Sequence, residues 1–283
     1  MHLIDGRQLA ASIRADLTTK VTGMAPKPGL AIVLVGDDVA SHTYVRLKER
    51  AAKEIGLHFV RSDFPATATE ADVLQRIVEL NTDPSIHGII VQLPLPTQLN
   101  PDRVVNAITP EKDADGFLKA SMEKYRTDTA ALPPVLCEGI WRLIASTGQT
   151  YTGKRAVVLA NSTTFGEPMA LLLTRKSLDV QIAYPPFHNS TELTCAADVV
   201  VIAIGQPHFL KVADVKTGAT IVDVGYTRLN GKDVGDVDAE SMQNATGWLT
   251  PVPGGVGPVT VAMLLERTVR LASSYSFPAP SGL

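Results

Sequence analysis

Short strand-like segments, most of them apolar, alternate with segments of helical periodicity and restrict this chain to folds built on parallel β-sheets. In the first 96 residues the strand-like segments are GLAIVLVG (29–36), HFVRSDF (58–64) and GIIVQL (88–93). Helical patterns begin between them, near Ser41 and near Thr69. Nearly continuous apolar strands are typical of parallel sheets that helices cover on both faces. This part of the chain is therefore predicted to be an α/β domain.

The same alternation starts again after a non-periodic segment, Pro110 to Leu136, that is rich in Asp, Lys and Pro. The later strand-like segments are AVVLA (156–160), VQIAY (180–184), DVVVIAIG (198–205) and ATIVDVG (219–225), and a helix is predicted to begin after Gly166. Strands that alternate with helices predict a second, doubly wound parallel sheet of the Rossmann kind. A long helical pattern over 258–274 precedes a tail, SYSFPAPSGL, that is predicted to be frayed.

The sequence therefore predicts an α/β fold of two domains, which the length of 283 residues also favours. Residues 1–118, together with a C-terminal helix at 259–283, are predicted to form an N-terminal α/β domain. Residues 137–258 form the Rossmann-like domain, and residues 119–136 form the linker.

Composition and charge argue against several classes of partner. The formal net charge of −3 gives no basic surface for nucleic acid, and no stretch of about 18 uninterrupted apolar residues could span a membrane. The first 17 residues include Asp5 and Arg7 and lack the apolar core of a secretory signal, so a cytoplasmic location is expected. Cys137 and Cys195 lack metal-ligand spacing and the six histidines include no HxxxH pair, so we expect two buried reduced thiols and no bound metal.

Lys48 is placed unusually in the helical segment SHTYVRLKERAAKEIG. At 3.6 residues per turn, one face carries Arg46, Glu49, Arg50 and Lys53, and the other carries Tyr44, Lys48, Ala51 and Ile55, with Ser41 one turn before Tyr44. Lys48 is thus the one cation on the apolar side. Such a lysine either extends its ammonium to water or pairs with a carboxylate, or it has a lowered pKa and can transfer protons. The helix alone leaves both interpretations open.

Other motifs place polar groups or close backbone at strand ends and turns. Gln92 ends a strand before the prolines of VQLPLP, where ligands gather in open α/β sheets, and Asp115 lies in the acidic turn KDADGF. The loop TPVPGGVGPVT (250–260) is rigid, poor in side chains and leads into a helix. AVVLANSTTFGEP (156–168) has the strand–turn–helix order of a nucleotide-binding unit, but only Gly166 remains of a glycine-rich turn, and an ordinary crossover has the same pattern.

Together these motifs resemble the bifunctional methylenetetrahydrofolate dehydrogenase/methenyltetrahydrofolate cyclohydrolase family. They are SHTYVRLKERAAKEIG, GIIVQLPLP, EKDADGF, ADVVVIAIGQP, IVDVG, VGDV and TPVPGGVGPVT, which keep the family's order and approximate spacing from about residue 2 to residue 272. The resemblance implies oxidation of methylenetetrahydrofolate by a nicotinamide cofactor, usually NADP, and hydrolysis of the methenyl product to formyltetrahydrofolate. It also implies that the first domain is the folate-binding catalytic domain and the second the dinucleotide-binding domain, with a substrate cleft between them and a homodimer formed through the second.

The resemblance assigns roles to single residues. Lys48 matches the catalytic lysine, which Gln92 positions and tunes, while Tyr44 stacks on the folate and Asp115 holds the pterin edge as further members of the catalytic set. The other implied positions are Ser41, Gly255 and Pro258 around the substrate, and Asn161, Ser162, Gly166, Ala203 and Gly205 around the cofactor.

The chain departs from the family pattern at the cofactor turn. The usual GRS and GKP sequences are replaced by Ala160, Asn161, Ser162 and by Gly166, Glu167, Pro168, and an HSRT-like sequence is replaced by Tyr184, Pro185, Pro186 and Phe187. Since a ribose 2'-phosphate needs Arg or Lys within hydrogen-bonding range, NAD is an alternative to NADP. Further departures at PVLCEG (134–139) and LKAS (118–121) lie on the linker side of the cleft.

These departures leave two other functions open. One is a specialised relative that catalyses only the hydrolysis, or a related one-carbon step of another pathway. The other is a folate-binding protein without catalysis, which would need the stacking Tyr44 and the carboxylate of Asp115 but not a displaced Lys48.

Overall fold

The structure is a computed structural model that describes residues Met1–Ser274. The chain folds into two compact units. The three-stranded unit contains Ser12–Val135 and, of the described residues, Val261 to Ser274, and the six-stranded unit contains Met1–Ala11 and Leu136–Thr260. The predicted tail and the last residues of the predicted helix at 259–283 lie outside the described residues. The roles assigned to the two domains stay predictions.

The described residues form helices and strands that are numbered in chain order. The helices are α1 (Gly6–Thr22), α2 (Val39–Glu54), α3 (Glu70–Thr82), α4 (Pro101–Val105), α5 (Lys119–Thr127), α6 (Val135–Ala145), α7 (Thr163–Arg175), α8 (Ser190–Ala196) and α9 (Val256–Ser274). The strands are β1 (His2–Leu3), β2 (Gly29–Val35), β3 (His58–Phe64), β4 (Gly88–Val91), β5 (Arg155–Ala160), β6 (Asp179–Ala183), β7 (Val199–Ala203), β8 (Thr220–Asp223), β9 (Thr227–Leu229), β10 (Lys232–Val234) and β11 (Trp248–Leu249).

The three-stranded unit is built on a parallel sheet in the order β3-β2-β4. Every residue of β2 is buried because this strand lies between the other two and is covered on both faces. One part of the core joins Val33 of β2 to Ile77 and Leu80 of α3. The carboxyl ends of β2 and β4 therefore lie side by side, and the segments that follow them carry α2 and Gln92.

The start of α3 tests how much local sequence stabilises this unit. Thr69 accepts a hydrogen bond from the backbone N–H of Asp72, and the Asp72 carboxylate accepts one from the backbone N–H of Thr69. Because this reciprocal pair satisfies two otherwise unpaired donors, Thr69→Ala should lower the free energy of unfolding by about 1 kcal/mol in urea denaturation. Thr82→Ala is the control, since the exposed Thr82 hydroxyl bonds only to carbonyls of its own helix. Equal losses in the two variants would contradict the capping argument.

The six-stranded unit contains a parallel sheet in the order β1-β11-β8-β7-β5-β6, and β9 and β10 form a separate antiparallel hairpin. The chain runs from β5 outward to β6 and then crosses back to β7 on the other side of β5. This reversal between β5 and β7 is a topological switch point, and in open α/β sheets ligands bind in the crevice outside the carboxyl ends of the two strands. The predicted doubly wound sheet is confirmed.

Several boundaries differ from the predictions. Helix α7 begins at Thr163 rather than after Gly166, so Gly166 and Pro168 lie inside the helix. The non-periodic segment 110–136 contains α5, which is too polar for its apolar residues to mark it as a helix. Cys137 is buried as predicted, but Cys195 is exposed on α8, where its thiol donates a 3.5 Å hydrogen bond to the carbonyl of Ala213.

Within residues 1–274, no helix combines the length and the apolar content that crossing a membrane requires.

Candidate functional site

Lys48 and Gln92 are in direct contact in the three-stranded unit. Lys48 lies on α2 and is half-buried, and its Nζ donates a hydrogen bond of 3.0 Å to Oε1 of Gln92. Gln92 follows β4, where its backbone N–H bonds to the carbonyl of Val33 and its Nε2 donates to the carbonyl of Leu93 at 2.7 Å. Because that second bond engages the amide nitrogen, the amide oxygen is held toward the lysine. The strand end thus positions the acceptor for the ammonium.

Burial changes the protonation of Lys48 and of its acidic neighbour. Removal from water lowers the pKa of Lys48 below its ordinary 10.5, and the negative charge of Asp115 acts in the opposite direction. Burial likewise raises the pKa of Asp115, against the positive charge of Lys48. Each group is costly to charge alone and less costly when the other is charged. Lys48 therefore loses its proton more readily than a lysine in water.

The turn that carries Asp115 is fixed by its own backbone. The carboxylate of Asp113 accepts hydrogen bonds from the N–H groups of Gly116 (2.8 Å) and Leu118 (3.1 Å), and the carbonyl of Asp115 accepts one from Val135. Gly116 has a φ of +78°, a conformation that favours glycine. In KDADGF, Asp113 therefore shapes the turn and leaves the side chain of Asp115 available for chemistry.

Arg267 is a charged neighbour of this turn that the sequence did not identify. It lies on α9, its guanidinium donates to the carbonyl of Pro133, and its positive charge opposes the burial that raises the pKa of Asp115. It is 5 % exposed, so its charge acts in a partly dry environment. No local pattern could have revealed this contact, because more than a hundred residues separate Arg267 from Asp115 in the chain.

Two more predicted residues lie on α2. Ser41 is buried, its N–H donates to the carboxylate of Asp38, and its hydroxyl makes a long 3.5 Å contact with the carbonyl of Leu93. Tyr44 lies one helical turn before Lys48 and is 38 % exposed, more than its predicted apolar face suggested. An exposed aromatic ring beside a lysine and an amide offers a flat surface for a planar ligand.

The predicted cofactor residues lie at the switch point of the six-stranded unit. Asn161 and Ser162 are exposed in the turn between β5 and α7, and the N–H of Asn161 donates to the carbonyl of Ala203 at the end of β7. Ser162 is the N-cap residue of α7, but its side chain makes no capping hydrogen bond. The free N–H groups of a first helical turn attract anionic ligands. Gly166, in that first part of α7, is buried.

Two buried carboxyl groups hold the backbone beside this switch point, and the sequence analysis missed both. Oδ2 of Asp236 accepts hydrogen bonds from the N–H groups of Ile204 (2.7 Å) and Gly205 (3.0 Å). Asp223, at the end of β8, accepts three backbone N–H bonds from Gly225, Asp236 and Val237. A Cβ at Gly225 or Gly235 would collide with these carboxyl groups, which explains the glycines of VDVG and VGDV. These two motifs are the sequence feature from which the two buried aspartates could have been predicted.

Gly255 and Pro258 also belong to the six-stranded unit. Gly255 is buried, and a Cβ there would lie 2.7 Å from Cβ of Thr250. Pro258 is in the first turn of α9, where its missing N–H costs nothing. The structure thus groups Ser41, Tyr44, Lys48, Gln92 and Asp115 in one unit, and Asn161, Ser162, Gly166, Ala203, Gly205, Gly255 and Pro258 in the other. Among residues 1–274 no group of three His, Cys, Asp or Glu side chains is placed to hold a metal ion.

Two family models match the chain. The model described as tetrahydrofolate dehydrogenase/cyclohydrolase, catalytic domain, matches residues 4–115, and the one described as its NAD(P)-binding domain matches residues 134–276. The bifunctional protein FolD of Lactiplantibacillus plantarum is 44% identical over 276 residues, which cover 95% of this chain and 96% of that protein.

Solved structures agree with these matches. The bifunctional enzyme FolD, methylenetetrahydrofolate dehydrogenase/cyclohydrolase, from Campylobacter jejuni superimposes with a TM-score of 0.91 at 37% identity, covering 97% of this chain and 99% of that one. The N5,N10-methylenetetrahydrofolate dehydrogenase-cyclohydrolase of Trypanosoma brucei, complexed with NADP cofactor and inhibitor, has a TM-score of 0.90 at 34% identity and covers 96% of this chain and 97% of its own.

Proposed function

This chain belongs to the tetrahydrofolate dehydrogenase/cyclohydrolase family, and we propose that it oxidises methylenetetrahydrofolate with a nicotinamide cofactor and hydrolyses the methenyl product to formyltetrahydrofolate. The observation that carries the proposal is the contact between Lys48 Nζ and Gln92 Oε1, beside Asp115, in a half-buried position. A protein that only binds folate needs no lysine whose pKa is lowered in this way. A hydrolase that attacks a cationic substrate does.

Lys48 serves the hydrolysis as a proton acceptor. The methenyl substrate carries a positive charge, so a neutral amine beside it avoids repulsion between two cations. Water attacks the bridging carbon, the new C–O bond forms, and Nζ of Lys48 takes the proton that the water releases. The same proton passes to the ring nitrogen. The carbinol O–H then gives its remaining proton to Nζ of Lys48 as the C=O bond forms and that C–N bond breaks, which leaves the formyl group on the other nitrogen. Gln92 holds Nζ in place during these transfers.

The other residues bind and orient. Asp115 accepts hydrogen bonds from the guanidine-like edge of the pterin, Tyr44 stacks on the ring, and Ser41 completes the pocket as a minor member. Gly255 and Pro258, in the six-stranded unit, are assigned to the substrate by the family resemblance alone. The assignment of these roles follows the family resemblance together with the positions described above.

The six-stranded unit suits a nicotinamide dinucleotide. The β5–α7 turn with Asn161 and Ser162, the first turn of α7 around Gly166, and the Ala203–Gly205 end of β7 meet at the switch point, and the hydroxyl of Tyr184 beside them is buried without a partner among the described residues. A nicotinamide bound there would supply the acceptor for the hydride of the one-carbon unit. NADP is the expectation from the family and NAD is the alternative. A homodimer and a cytoplasmic location remain predictions.

Direct assays test the proposal. Purified protein should form the methenyl product from methylenetetrahydrofolate with NAD or NADP, and should hydrolyse methenyltetrahydrofolate without either cofactor. Hydrolysis without oxidation would favour the specialised cyclohydrolase. Folate binding measured by calorimetry, with no turnover under any cofactor condition, would favour the non-catalytic relative.

Asp115→Asn should change both binding and the pH dependence of hydrolysis. Loss of a charged hydrogen bond to the pterin should raise KM by about tenfold or more. Since the negative charge of Asp115 raises the pKa of Lys48, its removal should shift the limb of the pH–rate profile that reports Lys48 deprotonation to lower pH. Asp102→Asn, at an exposed position of the same unit, is the control. A limb that stays in place or moves to higher pH would contradict the coupling.

A further inference from the structure

Tyr184 occupies a special position in the six-stranded unit. It follows β6 directly, one residue beyond the register pair of Leu159 with Ala183. Its ring lies against the start of α7, because a Cβ added at Gly166 would come within 2.6 Å of its hydroxyl oxygen and 2.9 Å of its Cε1. Gly166 is therefore needed to make room for the tyrosine. The ring therefore covers the start of α7, just after the turn that joins β5 to this helix.

The Tyr184 hydroxyl has no hydrogen-bond partner among the described residues although the atom is buried. A buried hydroxyl without a partner is unfavourable, because it has lost its hydrogen bonds to water and gained none. Burial raises the pKa of Tyr184, and the negative charge of Glu167 acts in the same direction, so the hydroxyl keeps its proton near neutral pH. The helix start therefore holds a neutral donor that a ligand hydroxyl can satisfy.

The charge at this edge is negative. Neither residues 156–174 nor residues 177–210 contain Lys or Arg, although they include the carboxyl ends of β5, β6 and β7. Glu167 is exposed in the first part of α7 and close enough to Tyr184 to affect its titration. A phosphate at this edge would meet a carboxylate and no cation from either segment. A neutral ribose hydroxyl would not be repelled by the carboxylate and would not need a cation.

Dinucleotide-binding sheets read the adenosine ribose at the end of their second strand, about 20 residues after the glycine turn. A carboxylate there accepts a hydrogen bond from the ribose 2'-hydroxyl, and an arginine nearby accommodates a 2'-phosphate. In this chain the corresponding residue at the end of β6 is Tyr184, 18 residues after Gly166.

We propose that Tyr184 and Glu167 make the dinucleotide site selective for NAD over NADP, an inference that rests on the proposed dehydrogenase activity. The carboxylate of Glu167 repels the 2'-phosphate of NADP, for which this edge supplies no cation. The hydroxyl of Tyr184 pairs with the 2'-hydroxyl of NAD. The two residues therefore act at the same ribose 2' position: Glu167 repels a phosphate there, and Tyr184 forms a hydrogen bond with a hydroxyl.

Calorimetric titration of the full chain with NAD and with NADP tests the selectivity without requiring turnover. The wild type should bind NAD about tenfold more tightly or better. Glu167→Lys should shift the ratio toward NADP by about tenfold, and Glu167→Gln should shift it in the same direction by less. Tyr184→Phe should weaken NAD binding by about 2- to 10-fold and NADP binding by less. Glu240→Lys makes the same charge change at an exposed position of the same unit and should leave the ratio unchanged.

The outcomes separate this inference from the proposed function. Tighter binding of NADP by the wild type, equal shifts in Glu167→Lys and Glu240→Lys, or no binding of either dinucleotide would overturn the selectivity. Oxidation of methylenetetrahydrofolate that runs better with NADP would overturn it too, while leaving the dehydrogenase intact. NAD binding with the expected mutant pattern, but no oxidation, would sustain the selectivity and refute the dehydrogenase.

Discussion

Lys48→Met should lower kcat/KM for methenyltetrahydrofolate hydrolysis by about 10³-fold, because methionine has a similar length but cannot accept a proton. The fall should appear mainly in kcat, since the pterin contacts assigned to Asp115 and Tyr44 are unaffected. Lys48→Arg should be nearly as inactive, because a guanidinium stays charged at every working pH. That variant separates a need for a neutral amine from a need for a positive charge. The assay measures hydrolysis as the loss of the absorbance of the methenyl substrate.

Lys53→Met is the matched control for this prediction. Lys53 lies on the same helix, but it faces solvent and pairs with Glu49, so its loss should leave hydrolysis unchanged within about twofold. Activity of Lys48→Met near that of Lys53→Met would remove Lys48 from the mechanism. Substantial activity in Lys48→Arg alone would show that the charge of the side chain, rather than its deprotonation, supports the reaction.

The fold followed from the sequence because its signals are local. Buried strands such as β2 and β7 are short apolar segments, and the helix of Lys48 has a clear periodicity, so both parallel sheets and the displacement of Lys48 to one face were predictable. The start of α7 was misplaced because Gly166 and Pro168 suggested a turn. In the structure Gly166 is required by the ring of Tyr184, a contact between residues distant in sequence.

The partners of the site residues depended on contacts that no local pattern encodes. The bond from Lys48 to Gln92 joins residues 44 positions apart, and Arg267 affects Asp115 from the last helix. The resemblance named Gln92 and Asp115 but could not supply the cause of the lowered pKa of Lys48, which is burial. Asp223 and Asp236 were passed over because acidic residues beside glycines usually indicate exposed turns.

Asp223 is a buried carboxyl whose protonation should control stability. Burial raises its pKa to about 7 from an ordinary value of 3.8, and the nearby charge of Asp236 acts in the same direction, while backbone N–H donors act against both. At a pH between these two pKa values, Asp223 of the folded protein keeps a proton that the unfolded chain has released. Raising the pH through this window therefore destabilises the folded state.

The unfolding free energy of the wild type should fall, relative to that of Asp223→Asn, by about 3 kcal/mol between pH 4 and pH 7, with a steepest slope of about 1.4 kcal/mol for each pH unit. The asparagine cannot titrate, so the difference between the two proteins isolates this one carboxyl even if the variant is less stable at every pH. Urea denaturation at intervals of one pH unit measures it, with Asp37→Asn at an exposed site as the control. A difference that stays constant, or that grows with pH, would mean that the three backbone donors keep Asp223 ionised in the folded protein. In that case the negative charge, rather than the proton, would be what holds the VDVG and VGDV segments together beside the end of β7.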